Sequence, residues 1–181
     1  YKRQTYYSSG DAGWRYWACP VGLNNLGEIE FLGSAIYRYE EASAINDYMD
    51  GWVSLDNTDA HNINDGYAIL LSENQSNSAR IVKAKGTLNT GSSTPTTLSI
   101  NGITIDSNKD PRGWHLISNS YQCNLDWDAI YASNSGTVEP TIYRWDPTSQ
   151  DYASYNGNTQ QNVGSSGSGL LEPHMAFVVQ S

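Results

Sequence analysis

The residues of this chain that could carry covalent or proton-transfer chemistry are few and poorly spaced for it. Its 181 residues include three histidines, His61, His115 and His174, and two cysteines, Cys19 and Cys123. Metal and redox motifs need their ligands at short, regular spacing, and no histidine here has such spacing to a Cys, an Asp or another His. The histidines are expected to be surface groups or internally satisfied, and His115, alternating with Trp114 on a strand, to face solvent. Cys19 and Cys123 could form one disulfide in a secreted chain or stand as two buried free thiols; the Cα separation that decides this is a property of the fold. The run Gly164–Gly169 is not G-x-S-x-G and follows no strand-to-helix elbow, so it reads as a flexible Gly/Ser loop. The pairs Glu28/Glu30, Glu40/Glu41 and Asp126/Asp128 have the residue types of a glycosidase acid and base, but adjacent or alternate pairs occur by chance in any acidic chain. No catalytic residue is assigned, and the chain is expected not to be an enzyme.

Binding chemistry has more footing. The stretch Asp56–Gly66, DNTDAHNINDG, is rich in hard oxygen ligands of the kind Ca²⁺ takes. Its spacing does not fit an EF-hand loop, and Asp and Asn also simply build turns. Ca²⁺ is therefore the one metal considered, and no cofactor is expected. There are 13 Tyr and 6 Trp against 2 Phe. Tyr and Trp carry an apolar face and a polar tip, which suits stacking against a sugar ring. Trp52, Trp127, Tyr131, Trp145, Tyr152 and Tyr155 are the residues that could form such a platform; Trp14, Trp114 and Trp145 have the alternative of a core position. A net charge of −9 with only 10 Lys and Arg argues against nucleic acid, whose phosphates need clustered cations. It argues equally against anionic membrane surfaces, and no run approaches the roughly 18 apolar residues of a membrane span. The chain opens on Tyr1 with no leader, which reads as a processed form or a fragment.

The elements that must position these residues are strands. Short aromatic and β-branched runs alternate with Gly, Asn, Asp, Ser and Pro clusters, predicting strands near Trp14–Ala18, Ala35–Tyr39, Trp52–Leu55, Tyr67–Leu71, Arg80–Leu88, Thr96–Ile105, Trp114–Ser118, Thr141–Trp145, Tyr152–Tyr155 and Met175–Gln180. Helix content is expected to be close to nil. An internal repeat organises the strands. Gly13–Trp17 recurs as Gly113–Ile117 (113 − 13 = 100), Ile36–Glu40 as Ile142–Asp146 (142 − 36 = 106), and Tyr67–Leu71 as Met175–Val179 (175 − 67 = 108). The sequence thus predicts an all-β fold: one jelly-roll-like β-sandwich over residues 13–181, built from repeated halves at about 13–90 and 96–181 that pack face to face, after an extended arm at residues 1–12. Two strand-like segments have little of the Lys or Pro that blunts a sheet edge, the last strand none within it and the arm nothing beyond Lys2 and Arg3. These are the arm, with Tyr1, Tyr6 and Tyr7, and the last strand, with Phe177 and Val179. Both are candidate self-association surfaces, through pairing within the chain or across a head-to-tail subunit contact.

The halves resemble a β-sandwich module of large secreted surface proteins of Bacteroidota-type bacteria, often placed before the sorting domain of type IX secretion. The likeness lies in Gly13-Trp14-Arg15-Tyr16 with Pro20-Val21, in Gly113-Trp114-His115-Leu116-Ile117-Ser118-Asn119-Ser120-Tyr121, in Asp126-Trp127, and in Ile142-Tyr143-Arg144-Trp145-Asp146-Pro147. Ser118, Ser120 and Gln122 depart from it, as does Pro173-His174-Met175. The resemblance implies an extracellular, cell-surface location and a sandwich architecture, and no common catalytic activity. Two functions are expected from it together with the composition. The first is a structural or adhesive module of a cell-surface protein, with a filament subunit as one form of it, associating with itself or with neighbouring domains. The alternative is the carbohydrate-binding module of a secreted enzyme, whose partner would be a glycan.

Overall fold

The computed structural model describes residues 2–7, 13–30, 35–44, 48–71, 80–90, 96–100, 112–164 and 169–181. In chain order its strands are β1 Lys2–Tyr7, β2 Gly13–Ala18, β3 Val21–Gly22, β4 Ile29–Glu30, β5 Ala35–Tyr39, β6 Trp52–Ser54, β7 Gly66–Leu71, β8 Arg80–Lys85 and β9 Thr87–Leu88. After the link between the halves come β10 Trp114–Ser118, β11 Leu125–Asp126, β12 Thr141–Asp146, β13 Asp151–Asn156, β14 Gln161–Val163, β15 Leu170–Leu171 and β16 Ala176–Gln180. The fold is all-β and every strand pairing is antiparallel. One α-helix, α1 (Trp127–Asn134), departs from the expected near-absence of helix. Asp126 starts it, its carboxylate accepting from the backbone N–H of Asp128 and Ala129, the usual role of an Asp N-cap. Of the expected strand Thr96–Ile105, residues 96–100 are not strand and the rest lie outside the described residues.

The two halves repeat the same sheet. The first runs β2-β7-β5-β6 and the second β10-β16-β12-β13-β14, so each places its last strand between its first two. Register fixes the correspondence residue by residue. Trp14 faces Leu70 and Ala18 faces Gly66 in the first sheet, as Trp114 faces Gln180 and Ser118 faces Ala176 in the second. Tyr37 faces Ala68 as Tyr143 faces Val178. With the first two offsets kept at 100 and 106, the third is 176 − 66 = 110, not the 108 read from the sequence. A slip of two residues leaves every side chain on the same face of a strand, which is why pattern alone accepted the wrong value. Gly13 and Gly113, which open the repeat, both adopt the positive φ that favours glycine, +105° and +76°.

Each half-sheet has its own apolar core on the outer face. Trp17, Tyr67, Ile69, Leu71, Leu26, Ile29, Val82 and Ala84 fill the first, closed by the three-stranded sheet β1-β8-β4. Trp127, Ile142, Tyr155, Leu171, Phe177 and Val179 fill the second. The inner faces meet each other. They approach closely at Gly66, where a Cβ would lie 2.8 Å from both the Ala176 Cβ and the Leu116 Cγ. The contact is also reciprocal. Ala18 N donates to His174 O at 3.0 Å, and Ser118 N donates to Asn64 O at 3.1 Å. Those four residues are related by the repeat offsets, 118 − 18 = 100 and 174 − 64 = 110, so each half completes the hydrogen bonding of the other's first strand as two subunits of an isologous dimer would.

This topology corrects the expectation for the last strand. β16 is not an edge; it lies between β10 and β12, and Phe177 and Val179 are buried in the second core. The arm forms β1, paired along its length with β8 within the chain, Tyr6 facing Ile81 and Tyr7 facing Arg80. Tyr1 lies outside the described residues.

Candidate functional site

The seam between the half-sheets collects the aromatic side chains, because alternate residues of β2, β5, β6, β10, β12 and β13 point into it. Two edge-to-face pairs are built twice. Trp14 meets Tyr37 with ring centroids 5.6 Å apart, and Trp114 meets Tyr143 at 5.5 Å. Tyr39 meets Trp52 at 5.3 Å, and Trp145 meets Tyr152 at 5.3 Å. Tyr16, whose repeat counterpart is Leu116, breaks the symmetry and ties the halves together. It stacks on Trp145, tilts against Trp52 and hydrogen-bonds the Tyr152 hydroxyl through its own. Burial pushes the Tyr16 phenol far above the usual range, and its hydrogen-bonded neighbour Tyr152 adds to the rise. The Trp145 indole N–H donates to Trp14 O at 2.9 Å.

The platform expected from sequence is therefore dispersed. Trp127 and Tyr155 sit on the opposite side of the second sheet, 2% and 5% exposed, and Tyr131 packs against that same core. Trp52 and Trp145 are half-buried in the seam, and Tyr152 alone of the six is exposed, at 43%. Tyr16, Tyr39 and Tyr143, which sequence reasoning left out, share the seam with them. The signal was present in the repeat, since Tyr37, Tyr39 and Trp52 recur as Tyr143, Trp145 and Tyr152.

The other candidates are engaged in local hydrogen bonds and ion pairs. Asp56 Oδ1 accepts from the Thr58 N–H and hydroxyl, Asp59 Oδ2 from Asp56 N, and Asn62 Oδ1 from Asn64 N, which is turn chemistry. Glu40 pairs with Arg38. Glu41 is buried, accepting from Gly113 N and the Ser99 hydroxyl. Asp128 accepts the Tyr155 hydroxyl at 3.0 Å. His61 holds Val21 O and Tyr67 Oη, and burial keeps its imidazole below its ordinary pKa. His115 does not face solvent as expected; it is half-buried and donates from Nε2 to Ser99 O at 2.9 Å. Asn119, fully buried, donates to Cys123 O, Leu171 O and Glu172 O and accepts from Tyr121 N, so it pins the turn after β10. Among the described residues, no group of three or more His, Cys, Asp or Glu is placed to hold a metal ion.

Cys19 and Cys123 are free thiols, the first buried and the second exposed, so the disulfide weighed from the sequence is not formed. The Cys19 thiol donates to Val21 O, and burial pushes its pKa up to about 11. Because the thiolate is the reactive form, a disulfide-exchange reagent at neutral pH is expected to titrate one thiol per native chain and two after denaturation. Two fast-reacting thiols in the native protein would contradict the burial of Cys19.

No curated protein and no solved structure matches the chain. One family matches over residues 1–170, and it is to this family, a domain of unknown function (DUF8693), that the chain belongs.

Proposed function

We propose that the protein is a non-catalytic structural or adhesive module of a secreted, cell-surface protein. The observation that carries this is the reciprocal lacing of the halves. The paired hydrogen bonds Ala18–His174 and Ser118–Asn64 and the aromatic seam make two half-sandwiches into one unit. A module strung in a surface chain has to transmit load without opening, and interlocked antiparallel sheets meet that need. The acidic, Tyr/Trp-rich composition and the resemblance of the repeat motifs point to the extracellular side. A filament form would use the outer edge of β1, which ends the sheet β1-β8-β4, since exposed edges template further strands. The carbohydrate-binding alternative at the aromatic platform is weaker, because Trp127 and Tyr155 are core residues.

Pulling single molecules between fused handles tests the proposal. One rip is expected, releasing roughly 600 Å of chain, at about 3.5 Å per residue over 181 residues. Two separate half-length rips, or gradual extension without a rip, would show that the halves do not bear load together and would remove its support.

A further inference from the structure

A polar cleft of about 500 Å³ lies at the junction of the halves, away from the exposed Tyr152. The turn Asn62–Asp65 and Tyr39 form one wall, His115–Ile117 of β10 the other, and Asn89, Thr96 and Thr97 the rim. The turn is anchored to β10 by the Ser118–Asn64 bond, by the bridge of Asp65 to Ile117, and by the Ser118 hydroxyl donating to Ile63 O at 2.7 Å. The cleft is thus a product of the lacing and exists only when both halves are folded. Its volume falls in the range of small-molecule sites, about 300–1,000 Å³.

We propose that this cleft binds a neutral carbohydrate, one or two rings of an uncharged glycan. Among the described residues the polar lining groups are amides, hydroxyls, the Asp65 carboxylate and the His115 imidazole, with no Lys or Arg, a set that suits hydroxyls better than a phosphate or sulfate. Asp65 is the anchor. It is half-buried, and its carboxylate makes no hydrogen bond to any described residue. A desolvated carboxylate with unused lone pairs can accept both hydroxyls of a vicinal diol, and such charge-assisted bonds are the stronger kind. Burial raises the Asp65 pKa, with the charge of Arg38 opposing that rise and the charge of Glu40 adding to it. Asn62, Asn64 and Asn89 carry side chains that both donate and accept, matching sugar hydroxyls. Leu116, Ile117 and the Tyr39 ring give an apolar patch for the C–H face of a ring. The site is independent of the load-bearing role and of the exposed aromatic Tyr152.

Titration of the ¹⁵N-labelled chain with glucose, galactose, mannose, N-acetylglucosamine, cellobiose and lactose tests this, with glucosamine and glucuronate as charged comparisons. At least one neutral sugar is expected to shift the side-chain amide signals of Asn62, Asn64 and Asn89 saturably. Asp65→Asn is expected to weaken that binding about tenfold or more, and Val163→Ser, on the far edge strand β14, to leave it unchanged. If Asp65→Asn fails to keep the native spectrum, the pair Thr96→Val and Thr97→Val serves instead, again with weakened binding expected. The proposal is overturned if no neutral sugar shifts these amides at about 10 mM, which would reveal a Kd near 1 mM. It is overturned equally if glucosamine or glucuronate binds more tightly than every neutral sugar, or if a folded cleft variant binds as the parent does. Any of these leaves the load-bearing proposal standing, since that is read from the force experiment.

Discussion

A chain ending before Ala176 is expected to lose its native fold, with no cooperative thermal transition and no near-ultraviolet circular dichroism. The five residues of β16 hold the centre of the second sheet, between β10 and β12. Deleting them leaves both neighbours with unpaired backbone groups facing each other across an empty strand position. It also removes Ala176, Phe177 and Val179, all 2% exposed or less. Loss of a buried Phe alone costs about 3–5 kcal/mol, and the valine and the ladder hydrogen bonds add to that. A domain has only about 5–15 kcal/mol in total, so the sum exceeds what the fold can lose. The first half does not survive separately, because Ala18 and Gly66 pack against the missing segment and its flank. Removing residues 1–12 is the informative contrast. It takes away β1, but β8 keeps β4 as a partner, so a cooperative though less stable fold is expected. A truncation at residue 175 that melts cooperatively near the parent temperature would show that β16 is peripheral.

What was legible in the sequence follows from what strand patterns encode. The strands β2, β5, β7, β10, β12 and β16 stand out because aromatic and β-branched residues cluster in them, and the repeat shows because matched positions carry matched faces. Pattern reports face and not depth. Trp127 and Tyr155 look like Trp52 and Tyr152, yet the first pair faces a closed core and the second the seam, because strand alternation does not say what covers a face. Sequence order also misled: β16 comes last in the chain, so it read as an edge, whereas sheet order puts it in the middle. The two-residue strands β3, β4, β9, β11 and β15 are too short to show a period. The helix was legible and was missed. Asp126 is a good N-cap, and Trp127, Ile130 and Tyr131 have the i, i+3, i+4 spacing of one helical face. The cleft was out of reach, since Tyr39, Asp65, Thr97 and His115 come together only through the crossed contacts of the halves.

Trp127→Ala is expected to destabilise the protein by about 3–5 kcal/mol, lowering its melting temperature by about 10 °C or more. The ring lies at the start of α1, 2% exposed, edge-to-face with Phe177 at 6.1 Å between centroids. Its indole N–H donates to Pro140 O at 2.8 Å, so the indole fixes the approach to β12 as well as filling the second core. Truncation opens a cavity beneath the sheet and removes one of the two donors to the Pro140 carbonyl, which keeps the Gly157 N–H at 2.9 Å. Trp127→Phe separates the two effects. It keeps most of the apolar volume and loses only one hydrogen bond to a carbonyl that stays satisfied, for a cost of about 0.5–1.5 kcal/mol. Trp52→Ala is the comparison: that ring is half-buried in the seam and touches Tyr16 and Tyr39, so its loss leaves a partly solvated gap and a smaller penalty. Urea unfolding of the three variants ranks them directly. A platform residue that stacked on a ligand would give the opposite order, with Trp127→Ala costing well under 1 kcal/mol. That result would return Trp127 to the surface and remove it from the second core.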